Sequence, residues 1–402
     1  MRGLVGAQFL SETGDGVVLV ALPLYVLAKT GSATAMSLAF TAAMAGGAVL
    51  AVVGGICADR FNRQTVLELS FVARAALLVM AWAAGPVGVT VALGIFARML
   101  GQMDNPSFDA LVPTQATEHD LQQVLSLRRF IQSVSVILGP GVGALAVWAL
   151  GEKPTLAAAA GAFVAAALIH LRLPGLDATL AERRRSQRDA TWRDFASGMA
   201  IVARTPFVRR LCAYWMVSTL AIAMAMAAAA VWFEDTLDAG DYWYGLSIAG
   251  YGIGSALATL AFGGRRFTWP LPRVLVAAAP VYAASALLGV VAHQPWLMVI
   301  GWAVWGVAFG PEIVRAEPEF VRRIDAANLG RAYAGLGVAI TLGSAAGYAV
   351  VGPIIDAYGP RVATAAAAVV IIAGGAMWLA PAEYGRRSAG ALDDAVAVEP
   401  VP

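Results

Sequence analysis

Charge is what this sequence has least of. Only 13% of its 402 residues are Asp, Glu, Lys or Arg while 59% are hydrophobic, where a soluble chain carries about 25% charged residues. A soluble fold cannot cover so much apolar surface, because its exterior still needs charge and its chain splits into domains of about 100–200 residues. The composition is that of a membrane protein. Lysine is nearly absent, with 2 Lys against 26 Arg, a usage that suggests a GC-rich bacterial genome. Cysteine is as scarce: Cys57 and Cys212 each sit inside an apolar run, which excludes a disulfide framework and any CxxC or zinc spacing. His119, His170 and His293 share no ligand spacing, so no metal site is expected. Neither a Walker lysine motif nor a GxSxG elbow, HExxH or dinucleotide fingerprint occurs, and GGAVLAVVGG lacks both a preceding strand and an acid at the required distance. These absences argue against an enzyme, a cofactor and an ATP-driven pump, and leave an ion gradient as the energy source.

What the chain has instead is long apolar runs. A helix needs about 20 mainly apolar residues to cross the hydrocarbon core, and twelve stretches fit: 4–28, 33–57, 66–84, 87–110, 124–149, 154–172, 207–233, 243–263, 271–292, 295–315, 330–352 and 360–380. Positive residues test that count, since they collect in cytoplasmic loops. Lys29, Lys153 and Arg361 alone fall in the loops placed outside, and Arg74 and Arg98 fall within spans. The expected fold is therefore an all-α membrane protein of twelve transmembrane helices in two six-helix bundles, with both termini cytoplasmic.

The stretch PGLDATLAERRRSQRDATWRDFASG divides the chain into bundles at 1–172 and 207–380. Residues 173–206 read as a cytoplasmic linker with a short amphipathic helix, its arginines suited to anionic lipid rather than nucleic acid. Residues 381–402, small, acidic and Pro-ended, read as a disordered tail. Glu12 and Asp15 interrupt the first span, unlike the unbroken apolar core of a cleavable signal, so that span is expected to stay. RRFIQSVSVILGPGVGALAV in the fifth span is weakly similar to RAYAGLGVAITLGSAAGYAV in the eleventh, the kind of repetition expected of transporters whose bundles enclose a midplane site.

The turn between the second and third spans reads GGICADRFNRQTV. Its Gly55, Asp59, Arg60 and Arg63 resemble the signature loop of the major facilitator superfamily, with departures at Cys57, Asn62 and Gln64 where a Leu, a Gly and a second basic residue are usual. The physics suits a gating latch: Gly55 permits close helix approach, and Asp59 can form charge-assisted bonds that break when bundles move. In the fourth span, IFARMLGQMDNPSF sets Arg98 three residues before Gly101, resembling the family's intramembrane Arg motif. A charge at that depth needs a partner inside the bundle. Asp104, at i+6, lies on another face, so Asp15 or Glu12 is the better geometric match. In the fifth span, SVILGPGVGALAV carries Ser135, Gly139, Pro140 and Gly143 and resembles the family's antiporter motif, with Ser135 and Ala144 replacing its outer glycines. Glycine and proline there suit a hinge.

The first span, SETGDGVVLVALPLYVL, sets Asp15 ahead of Ala21, Leu22 and Pro23, a pattern similar to drug-efflux members of the superfamily, particularly the twelve-span group that includes macrolide exporters. Glu12 and Asp15 share a helix face, and a carboxylate sheltered from water can exchange a proton near neutral pH. In the second half, WGVAFGPEIVRAEPEF holds Glu312 three residues before Arg315, either a second acidic site or an interfacial ion pair. The turn FGGRRFTWPLPR has no acid, so a second copy of the latch is degenerate. Tyr25, Tyr214, Trp215, Met224, Tyr251, Trp302 and Trp305 are candidates, with Glu312, for a substrate cavity suited to bulky hydrophobic or cationic compounds. Trp232 and Trp243 also suit an interfacial belt.

The resemblance spans about residues 4–380 and implies a secondary active transporter of the bacterial inner (plasma) membrane, working by alternating access. It implies proton-coupled efflux of a small hydrophobic or cationic molecule, with Asp15 or Glu12 taking the proton and Arg98 tuning it. The expected partners are the substrate, protons and membrane lipid, the expected state a monomer, and no metal or cofactor is called for. Alternatives are a proton-coupled importer of a metabolite, against which the first- and fifth-span motifs count, or a receptor or lipid-handling protein on the same scaffold.

Overall fold

The structure, a computed structural model, describes residues 2–104, 135, 139–172, 199–200, 202–237, 239–263, 267–291, 293–324 and 328–379, and those residues are helices joined by short turns. A helix keeps its backbone hydrogen bonds within the segment, as a lipid surrounding demands. The elements are α1 (Arg2–Thr30), α2 (Ala33–Arg60), α3 (Arg63–Ala83), α4 (Val87–Gly101), α5 (Gly139–Leu150), α6 (Glu152–Leu171), α7 (Pro206–Val231), a π-helical turn Trp232–Thr236, α8 (Asp241–Phe262), α9 (Leu271–Val291), α10 (Pro295–Val321) and α11 (Leu329–Ala376). Among the described residues nine helices are long and apolar enough to cross a membrane, and α4 and α5 are shorter apolar ones. Two expected spans, 330–352 and 360–380, are the two parts of α11, which is broken at Gly359 by left-handed backbone (φ 82°).

Local sequence sets the helix ends. Ser32 caps α2 by accepting from the Ala35 amide, and Asn62 caps α3 by accepting from Thr65. Pro206 and Pro295 open α7 and α10, where a missing N–H leaves nothing unsatisfied.

The helices pack in two groups. In the first, α6 lies against α1 and α3, and α4 against α2 and α3; in the second, α7 lies against α11 and α8 against α10. Among the described residues two seams join the groups. Along α2 and α11, Phe40 stacks on Tyr348 at 4.3 Å between ring centres, and Thr41 donates to the Ala345 carbonyl at 3.3 Å. At the end of that seam the Asp356 carboxylate accepts from the Ser32 hydroxyl (3.0 Å) and from the amides of Ala33 (2.8 Å) and Thr34 (3.0 Å). Along α5 and α8, Gly245 faces Ala144 and Trp148 stands beside Tyr242 at 6.4 Å.

Large apolar side chains also cover the outside, among them Leu69, Trp148, Leu260 and Val369. So much outward apolar surface belongs against lipid. Trp232, expected in an interfacial belt, is buried instead, with the Arg361 guanidinium 5.2 Å over its ring. Residues 173–198 and 201 of the expected linker and all of the expected tail, 381–402, lie outside the described residues.

Candidate functional site

The most heavily charged interior point among the described residues is built around Arg74, in the middle of α3, whose side chain is 1% exposed. A guanidinium held that far from water needs opposing charge and hydrogen-bond acceptors; α1 and the end of α4 supply them to its two terminal nitrogens, while its Nε has no partner among the described residues. One terminal nitrogen forms an ion pair with the Asp15 carboxylate of α1. The other donates to Asp104, just past α4, at 2.8 Å and to the Ser11 hydroxyl at 3.3 Å. Asp104 is held in turn by the Ser70 hydroxyl at 2.5 Å. The face of the guanidinium stands 3.9 Å over the ring centre of Phe163 on α6, within cation–π range. Gly101 makes the space, since a Cβ there would come within 2.9 Å of the guanidinium carbon.

The two carboxylates differ in access. Asp104 is 8% exposed, whereas Asp15 is 34% exposed, so Asp15 is the more accessible of the two. Arg98 contributes differently from expectation: it donates to the backbone carbonyl of Asp15 at 3.0 Å, because Arg74 already occupies the carboxylate. Asp104 does not pair with Arg98, and its partner comes from across the bundle. Glu12, one turn before Asp15, accepts from the Gln8 amide at 2.9 Å.

The glycine-proline motif of α5 packs directly beside this network. A Cβ on Gly139 would lie 2.9 Å from the Gly16 Cα, and one on Gly143 would lie 2.8 Å from the Val17 Cα. Pro140 faces the same stretch, with its Cδ 2.8 Å from where a Gly16 Cβ would stand. Two backbones can approach so closely only where side chains are missing at the contact, and the contact falls one residue after Asp15. Ser135, at the start of the motif, is buried with its hydroxyl lacking a hydrogen-bond partner among the described residues.

In the second group, Glu312 of α10 forms no ion pair with Arg315. It is 1% exposed and accepts from the Tyr214 hydroxyl (3.0 Å), the Trp215 indole N–H (2.7 Å) and the Tyr282 hydroxyl (2.9 Å). Four further rings extend from Tyr282: Trp305 at 5.2 Å, Trp302 stacked on Trp305 at 5.7 Å, and Tyr251 against Trp302 at 6.3 Å and Phe309 at 6.0 Å. Trp302 and Trp305 line a cavity of about 20 Å³ with Met298, Ser285 and Thr364, room for about one water. Tyr25, Tyr214, Met224, Trp302 and Trp305 are buried, while Trp215 and Tyr251 are partly exposed. Gly55, Asp59 and Arg60 end α2 and Arg63 begins α3, and the side chains of Asp59, Arg60 and Arg63 lie outside the described residues.

Sequence reasoning missed Arg74 as the hub and Asp104 as its partner. The signal was present, because Arg74 and Arg98 are the two basic residues that fall near the middle of expected spans and intramembrane charges come with partners.

The profile of the Major Facilitator Superfamily matches residues 4–314. The multidrug efflux pump Tap of Mycobacterium tuberculosis (strain ATCC 25618 / H37Rv) is 27% identical over 391 residues, which cover 92% of this chain and 90% of that protein. Macrolide efflux protein A of Streptococcus pyogenes is 25% identical over 221 residues, 53% of either chain. Among solved structures, the nucleoside transporter NupG superposes with a TM-score of 0.74 at 14% identity, covering 94% of this chain and 98% of that one. At that identity the likeness concerns the fold.

Proposed function

The chain belongs to the Major Facilitator Superfamily, and from that premise we propose that it exports small hydrophobic or cationic compounds in exchange for protons. It is a transporter of small molecules rather than an enzyme, and a multi-pass protein of the plasma membrane. The proposal adds direction, coupling and the residues that carry them. One observation carries it: Asp15 is the more accessible end of a buried acid–Arg–acid network, and its neighbour Gly16 touches the glycine-proline motif of α5.

The two carboxylates of Asp15 and Asp104 balance the two guanidiniums of Arg74 and Arg98. A proton on Asp15 removes one negative charge, so Arg74 keeps a single ion pair, with Asp104, and α1 is held less tightly to α3. Because α1 meets α5 backbone to backbone at Gly16 and Gly139, a shift of α1 moves the hinge helix. That helix also forms the seam with α8, so the movement reaches the second group. Proton binding at one site thereby biases the balance between two packings of the groups.

In this reading the chain has twelve spans in two bundles, 1–172 and 207–380, joined by the linker 173–206, with both termini inside. The α2/α11 and α5/α8 seams then close the outer end. Asp59, Arg60 and Arg63 act as the latch of the opposite state, Ser135, Gly139, Pro140 and Gly143 as the hinge, and Glu12 stands in reserve one turn from Asp15. The two relatives named as efflux proteins support export over import.

Proteoliposomes loaded with a lipophilic fluorescent cation test this. An imposed pH gradient should drive the dye against its concentration gradient in exchange for protons. Dye moving with the protons would replace the exporter by an importer, and transfer of headgroup-labelled lipid with no dye movement would replace it by a lipid-handling protein.

A further inference from the structure

Glu312 is a buried carboxylate of the second group that takes no part in coupling through Asp15. It lies on α10, and its hydrogen-bond partners come from two other helices: Tyr214 and Trp215 from α7, Tyr282 from α9. The α7 and α10 backbones scarcely approach one another, and these side-chain bonds join the two helices beside the apolar contacts of Phe207 and Leu211 with Ala316 and Phe320. An ionised carboxylate with 1% exposure and only neutral donors around it is expensive to hold. The groups that face it are all uncharged phenols or indole: Tyr214 and Trp215 on α7, Tyr251 on α8 and Tyr282 on α9. On its own helix the nearest charges in sequence are Arg315 and Glu317, and Arg315 is not among the groups that act on its carboxylate.

The chemistry of the donor set decides what can answer that charge. Three N–H or O–H hydrogens point at the two carboxylate oxygens, with Oε2 taking both tyrosines and Oε1 only Trp215. A metal ion would need several oxygen lone pairs turned toward it, and here the neighbours present hydrogens. A bulky organic cation finds no open face on the carboxylate, which is 1% exposed and already takes three donors. A proton needs neither space nor further ligands, and Oε1 has a lone pair left for it.

We propose that Glu312 is a second proton-binding site of the transporter, held in a three-donor aromatic cage and separate from the Asp15 network in the other half of the chain. The step is a simple addition: a proton from water forms an O–H bond at Oε1, and the site passes from one negative charge to none. The bonds from Tyr214, Trp215 and Tyr282 then lose the charge assistance that makes such bonds roughly twice as strong as neutral ones. The tie between α7 and α10 weakens accordingly.

Infrared difference spectra of the full chain in lipid nanodiscs, recorded while pH is lowered, test this without any transported substrate. The expected result is a protonated carboxylic acid C=O band that is absent in Glu312→Gln and retained in Asp15→Asn. A band that persists unchanged in Glu312→Gln, or that never appears in the wild type, would overturn the proposal. Should Glu312→Gln fail to fold, Glu312→Asp, which keeps the carboxyl group, takes its place. The band should move in frequency or in midpoint pH in Glu312→Asp, and a band unmoved there would sink the idea. Loss of dye export in proteoliposomes would leave the band intact, so the two accounts fail separately.

Discussion

The Arg74 guanidinium stands 3.9 Å above the ring of Phe163 while its terminal nitrogens grip Asp15 and Asp104. Four helical segments, α1, α3, α6 and the end of α4, therefore meet on one side chain. Removing it leaves Asp104 buried without a counter-charge, a change that typically costs about 3–5 kcal/mol. Arg74→Met should lower the melting temperature in detergent markedly. Adding Asp104→Leu should recover much of the loss, because the orphaned charge is then gone. Additive destabilisation in the double variant would show that the network is not coupled.

Gly101 borders the same guanidinium, and a methyl there would press on the Arg74 guanidinium carbon at 2.9 Å. Gly101→Ala should cost about 1–3 kcal/mol by overpacking and reduce transport. Gly161→Ala on α6, where nothing lies within 4 Å of an added Cβ, should be neutral or slightly stabilising. Thermal melts and dye flux on the pair separate a packing effect at the site from a general intolerance of helix substitutions.

Contact between α1 and α5 gives a second steric test. A Cβ on Gly16 would stand 2.5 Å from the Gly139 Cα, backbone that cannot turn aside. Gly16→Ala should keep membrane insertion and expression while slowing transport several-fold, with the defect appearing in flux rather than in substrate affinity. Unchanged flux would detach the α5 motif from the coupling site.

At the α2/α11 seam, Asp356 caps α2 from the other group through Ser32, Ala33 and Thr34. Losing such a cap costs about 1 kcal/mol, which moves a two-state balance about fivefold. Asp356→Ala should raise the reactivity of a cysteine placed at Thr34 toward an impermeant maleimide, in a background with Cys57 and Cys212 replaced. A disulfide joining cysteines at Ser32 and Asp356 should instead stop transport until reduced.

Much of the helical layout could be read from apolar run length and Lys/Arg placement, because the lipid core imposes one dominant constraint on every span. Gly139 and Gly143 were legible for a related reason: a helix tolerates such a run chiefly where another backbone comes close. Arg74 was not legible as a hub. Its carboxylates are 59 and 30 residues away in sequence, and which faces converge depends on helix rotation, which periodicity in a nearly uniform apolar helix does not set. For the same reason the sequence leaves Arg98 open to either Asp15 or Glu12, and does not show that it meets the Asp15 backbone carbonyl. For Glu312 the sequence offers either a second acidic site or an ion pair with Arg315 one turn on, and it cannot show that the donors come from α7 and α9.

Proton coupling through Asp15 is the central claim, and one comparison tests it most directly. In proteoliposomes, Asp15→Asn should abolish dye accumulation driven by a pH gradient while retaining dye-for-dye exchange, which needs the alternating movement but no net proton. Gradient-driven accumulation at the wild-type rate in Asp15→Asn would contradict the account.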